Sequence, residues 1–100
     1  MSWTFEPSSP TAGRQTRALV RLRDASGRPV RGARLQVEGH MTHPGMAPVT
    51  GAVIERTAGS YEARIHLSMA GDWILVMTGA LADGSRITKE TRMTVARPPG

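Results

Sequence analysis

The chain of 100 residues carries a formal net charge of +5, has Lys89 as its only lysine among 13 basic residues, and contains no cysteine. That length makes one domain with a modest core, and the missing cysteines exclude disulfides, thiolate zinc sites and a blue-copper centre. The arginines are spread along the chain, and the four aromatics Trp3, Phe5, Tyr61 and Trp73 offer no stacking platform, so nucleic acid is not an expected partner.

The first 13 residues, "MSWTFEPSSPTAG", are dominated by Pro, Ser, Thr and Gly. They read as a linker or extended segment, residues 1–15, leading into a domain over residues 16–96 with a short tail at 97–100. No apolar run reaches the ~18 residues of a membrane span, and no signal-peptide pattern opens the chain. A secretion signal or membrane anchor upstream of Met1 is the expectation for a linker of this kind.

Strand patterns follow in order. In "RALVRLR", residues 17–23, Ala18, Val20 and Leu22 alternate with arginines, the period of a half-buried strand; Leu19 is the exception on the outer face. Turn residues Asp24, Gly27, Pro29 and Gly32 separate it from "ARLQVEG", where Ala33, Leu35 and Val37 point inward. "VTGAVIERT" comes after the next loop. The turn "AGS" then leads to "YEARIHLSM", whose Tyr61, Ala63, Ile65, Leu67 and Met69 share one face.

"WILVMTGAL" is nearly continuous apolar sequence, suited to a central strand. Asp83-Gly84 is a hairpin signal before "RITKETRMTVA", with Ile87, Met93 and Val95 as core contacts. No window has sustained helical periodicity. Six or seven short strands, turning every eight to twelve residues, predict an all-β fold: an immunoglobulin-like antiparallel β-sandwich of about seven strands, with a small barrel as the alternative.

Between the second and third strand patterns lies "EGHMTHPGMAPV", residues 38–49, where His40, Met41, His43 and Met46 fall within seven positions. Pro44-Gly45 suits the centre of a type II turn, which would flank it with His43 and Met46, their α-carbons under ~7 Å apart. The residue before a proline is pushed toward extended geometry. Met41 would then point to the same side as His43. Thioether donors are soft and select Cu(I), and imidazole accepts copper in either state, so the expected metal is copper, Cu(I) ahead of Cu(II) or zinc.

Met41, His43 and Met46 are the primary candidate ligands, with His40 or His66 completing the set. The plain alternative is an ordinary loop, with methionine filling gaps at the end of the core. His66 faces away from Ile65 and Leu67, where a solvent-facing histidine is the simpler reading. Met69, Met77 and Met93 read as core.

Catalysis is not expected. No Ser/His/Asp arrangement carries a nucleophile motif, no carboxylates pair, and Asp72 and Asp83 both lie in turns.

The order of "VRLRDASGRPVRGARLQV", a Met/His/Pro/Gly loop and "AGSYEARIHLSMAGDWILVM" resembles the YtkA-like domain family, related to FixH. The matching positions are Gly27, Pro29, Val30, Gly32 and Ala33; Met41, Pro44, Gly45 and Met46; and Gly59, Tyr61, Met69, Gly71 and Trp73, across roughly residues 16 to 96. This chain departs from the family's loop by placing His43 inside it, with no histidine directly after Met46. The loop's histidine role is therefore carried onto His43.

The resemblance implies an immunoglobulin-like sandwich in a periplasmic or other extracytoplasmic location, often membrane-anchored. It also implies copper handling, with a cytochrome oxidase assembly or copper-efflux protein as acceptor. The residues themselves leave two rivals open. One is a metal-free interaction module docking on a membrane complex. The other is a carbohydrate-binding sandwich, for which Trp3 and Phe5 are the candidate exposed aromatics.

Overall fold

The computed structural model describes residues 2–6, 9–42 and 45–98. Seven strands form in chain order: β1 (Ser2–Glu6), β2 (Gln15–Arg21), β3 (Arg34–Met41), β4 (Val49–Thr57), β5 (Ser60–His66), β6 (Gly71–Ala80) and β7 (Arg86–Val95). No helix occurs among the described residues. All strand pairs are antiparallel, in the order β1-β2-β5-β4-β3-β6-β7.

That single order curls into two layers because β4 serves both. Its first residues, Val49 to Gly51, pair with β3, and Ala52 onward pairs with β5. Gly51 stands at the changeover. A β-carbon there would lie 2.3 Å from the Arg64 carbonyl oxygen and 2.8 Å from Val37 Cγ1, so only glycine lets the strand pass this close. On the opposite side Pro10 to Ala12 bridges the layers: Ala96 N–H donates to the Pro10 carbonyl and Ala12 N–H to the Ala96 carbonyl, both at 2.9 Å. The layers β1-β2-β5-β4 and β3-β6-β7 have the strand arrangement of an immunoglobulin constant-type sandwich.

The core is the inward half of each alternation. Ala18, Val20 and Leu22, then Tyr61, Ala63, Ile65 and Leu67, face Val37, Trp73, Leu75, Met77 and Val95. Without a disulfide to join the layers, Trp73 supplies the largest buried side chain, 1% exposed. Its indole N–H donates to the Met69 carbonyl, 2.9 Å away and four residues upstream. The bond does for a tryptophan what the tyrosine corner does at the same point of immunoglobulin domains.

Three expectations change. Residues 2–6, read as linker, form β1 paired to β2. Trp3 and Phe5 lie 5.1 Å apart, half-buried and packed against the core, so neither is the open aromatic platform a carbohydrate site needs. Met69, read as core, is 43% exposed because pairing in β5 stops at His66 and the chain turns after Leu67.

On the outer face of the β1-β2-β5-β4 layer, Glu62 is covered by arginines and accepts bonds from Arg56 and Arg17 at 2.6 and 2.8 Å. The Arg56 guanidinium, helped by Arg17, holds its carboxyl below the usual range against the opposing effect of burial.

Candidate metal centre

Strand direction sorts the loops into two ends. The β3–β4 loop, the β5–β6 loop and the Pro10–Gly13 bridge lie at one end; the β2–β3 connection and the β4–β5 turn lie at the other. The donor-rich segment belongs to the first.

The pairing of Gly39 with Val49 closes the β3–β4 loop. Met41 lies two residues beyond one side of that closure and Met46 three residues before the other, so both are held over one rim. Met41 ends β3 on its inward face and packs against the core margin, opposite Trp73 in β6. Its terminal methyl sits 3.0 Å from where a β-carbon of Gly71 would be. Met46 is 38% exposed. Gly45 has φ of +88°, the left-handed value that the second central position of a type II turn requires. His43 and Pro44 lie outside the described residues.

The other two histidines go elsewhere. Neighbouring strand residues face opposite ways, so His40 points outward while Met41 points inward. His40 Nε2 lies 3.0 Å from Glu38 Oε2, its neighbour two residues back on the same outer face. His66 is exposed on the outer face of the other layer, in register with Gln15. With stacked layers ~10 Å apart, the structure does not bring His40 and His66 together.

Sequence reasoning missed Met69. It is the other exposed methionine among the described residues, it lies in the β5–β6 loop at the same end, and its carbonyl is tied to Trp73. The signal was present in "SMAGDW", where three small or turn-forming residues follow the methionine and argue against continuing the strand.

Among the described residues no three His, Asp or Glu side chains form a ligand group. Among the described residues the soft donors at this end are the thioethers of Met41, Met46 and Met69, the last two in solvent, and thioethers suit Cu(I). In that limited sense the residues fit copper.

The sequence pattern described as YtkA-like matches residues 2–78, from β1 through most of β6. No curated protein matches the chain. Among solved structures, the Lin-41 filamin domain superposes with a TM-score of 0.66 at 22% identity, covering 96% of this chain and 93% of that one. A candidate glycoside hydrolase from Bacteroides vulgatus superposes with a TM-score of 0.65 at 15% identity over 91% of this chain, which spans 16% of that protein. These likenesses establish the sandwich fold alone.

Proposed function

The chain belongs to the YtkA-like family, and from that premise we propose that it is an extracytoplasmic copper-holding domain that carries Cu(I) in its β3–β4 loop for transfer to a cytochrome oxidase assembly or copper-efflux partner. The observation that carries this reading is the exposure of Met46, 38% in solvent on a loop whose flanks are firmly paired. An adaptable thioether held in water next to a left-handed glycine is open to an incoming soft metal.

In this reading Met46 and His43 are primary donors, with Met41 at the rim as a third. His40 and His66 are the weaker members of the proposed set, since each faces away from that rim. When bound, copper supplies the cargo and no chemistry of its own. What the chain contributes is a shallow set of soft donors on a firm base. Ligands that reach the metal from one side leave its other side open, so an acceptor's donors can enter before the loop lets go.

A Cu(I) titration against a coloured competing chelator tests this. The parent chain is expected to take one equivalent, with weaker binding in His43→Ala and in Met46→Ala. If both variants bind as the parent does, the loop is not the site.

The second reading, a metal-free interaction module, is favoured by a different surface. Leu19 and Ile54, 37% and 50% exposed, lie on the outer face of the β1-β2-β5-β4 layer on either side of Glu62. That reading requires no copper affinity beyond that of a generic histidine-containing loop.

A further inference from the structure

The β5–β6 loop reaches the same rim. Thr42 N–H donates to the Asp72 carbonyl at 3.2 Å, the Met41 methyl approaches Gly71, and the buried Trp73 indole anchors the Met69 carbonyl at 2.9 Å. Residues 41–42 are thus stitched to residues 69–73. Met69 is two residues from Gly71, so their α-carbons are at most ~7 Å apart. The side chain adds three rotatable bonds, and at 43% exposure it is not held by the core.

Gly71 sharpens the geometry. It has φ of +134°, and a β-carbon there would press on the Met41 methyl. The Met41 side chain, packed against the core margin, therefore reaches the base of the β5–β6 loop with its methyl. Met41 at the end of β3 and Met69 in the β5–β6 loop thus lie at one end of the sandwich, with Met46 on the loop that the Gly39–Val49 pair closes.

We propose that Met69 is a copper-ligating residue, so that the site spans both loops and is not confined to the β3–β4 loop. This rests on the reading of the β3–β4 loop as a Cu(I) site. A thioether from the second loop raises the number of soft donors without any cysteine, and it makes the metal a clasp between two segments that meet at their bases.

The test uses the folded chain with methionine methyl groups labelled for NMR, titrated with Cu(I) under reducing conditions. Chelator competition runs in parallel on the parent, Met69→Leu, Met46→Leu and, as a core control, Met77→Leu. The expected result is that the Met69 and Met46 methyl signals move together while Met77 stays still. Met69→Leu is expected to weaken Cu(I) binding by about tenfold or more, at least what loss of an outer partner costs at a metal site. The methyl signals report on the parent chain, so the outcome does not depend on how the variants fold. If Met46 moves, Met69 does not, and Met69→Leu binds as the parent, the two-loop site is overturned and the single-loop site stands. If no methionine methyl responds at saturating Cu(I), both are overturned.

Discussion

The two ends of the sandwich are built on different terms. At the end opposite the donors, polar groups are tied down. The Tyr61 hydroxyl donates to the Val30 carbonyl at 2.8 Å and accepts the Ala33 N–H at 3.1 Å. The Glu55 carboxylate accepts N–H groups from Gly32 and Gly59. Asp24 folds its own turn by accepting from Ser26 and Arg28, which holds its carboxyl below the usual range, chiefly through the Ser26 hydroxyl.

At the donor end the ties run along the base of the loops, and above them Met46 and Met69 stand in solvent. The positions on which the sequence resemblance rests divide the same way. Gly27 to Ala33, Gly59 and Tyr61 build a closed end. Met41, Gly45, Met46 and Met69 lie at the other end, where two of the methionines are exposed.

The sharpest way to break this contrast is to make the same substitution at a left-handed glycine in each end. Gly59 has φ of +73°, and its missing β-carbon would lie 2.6 Å from Pro29 Cβ and 2.9 Å from the Leu22 carbonyl oxygen. Gly59→Ala combines left-handed strain with a clash against backbone. We expect it to cost about 3 kcal/mol, strain supplying roughly 1–2 of that, read as a lower denaturant midpoint at unchanged slope. Gly45, with φ of +88°, has nothing within 4 Å of the same position. Gly45→Ala should cost only the strain, about 1 kcal/mol. Equal losses at the two sites would mean the ends are equally packed.

Next in size is Tyr61→Phe. The ring stays in the core, but the Val30 carbonyl and the Ala33 N–H each lose a partner. A loss of about 2 kcal/mol is expected. A change below ~0.5 kcal/mol would show that water replaces the hydroxyl, and that this end is less closed than its bonds suggest.

How much of this was written in the sequence depends on how local each feature is. The β2 and β5 patterns were legible because alternation is a property of the strand itself, and Ala18, Val20, Ala63 and Ile65 all face the core as their spacing demands. The apolar run of β6 likewise marked an internal strand, flanked by β3 and β7. β1 was hidden because the Pro, Ser, Thr and Gly around it outweighed the short alternation of Trp3 and Phe5 with polar neighbours, and its order comes from pairing with β2. Met69 was misread by carrying the β5 alternation past the last paired residue.

At the donor loop, residue types were legible and directions only partly so. The positive φ of Gly45 follows from the Pro-Gly pair. That His40 faces away from Met41 follows from period two, and Glu38, two residues earlier, was the visible sign of its outer-face partner. Which loops share a rim depends on how β4 crosses between layers, and no local spacing carries that.

A smaller effect of opposite sign is expected at Thr16, near the donor end of β2. Its hydroxyl is buried and has no hydrogen-bond partner among the described residues. Thr16→Val keeps the branched shape and removes the unsatisfied group, so stability should rise by about 1 kcal/mol. The gain would confirm that this end carries polar groups its fold does not use. A loss would mean that Thr16 is satisfied by bound water.

The smallest expected change in stability separates scaffold from site most directly. Met46 is on the surface and contributes little to the core, so Met46→Leu should alter the unfolding free energy of the metal-free chain by less than ~0.5 kcal/mol. Cu(I) that binds the folded chain and not the unfolded one adds stability in proportion to the logarithm of its concentration over its dissociation constant. The parent should therefore become more stable as Cu(I) is added, while Met46→Leu should gain less at the same concentration. Tyr61→Phe should start lower and gain as much as the parent, because its defect lies at the other end of the sandwich. If Tyr61→Phe lost the copper-dependent gain as well, the two ends would be energetically coupled, and the donor loop could no longer be treated as a site set on an independent frame.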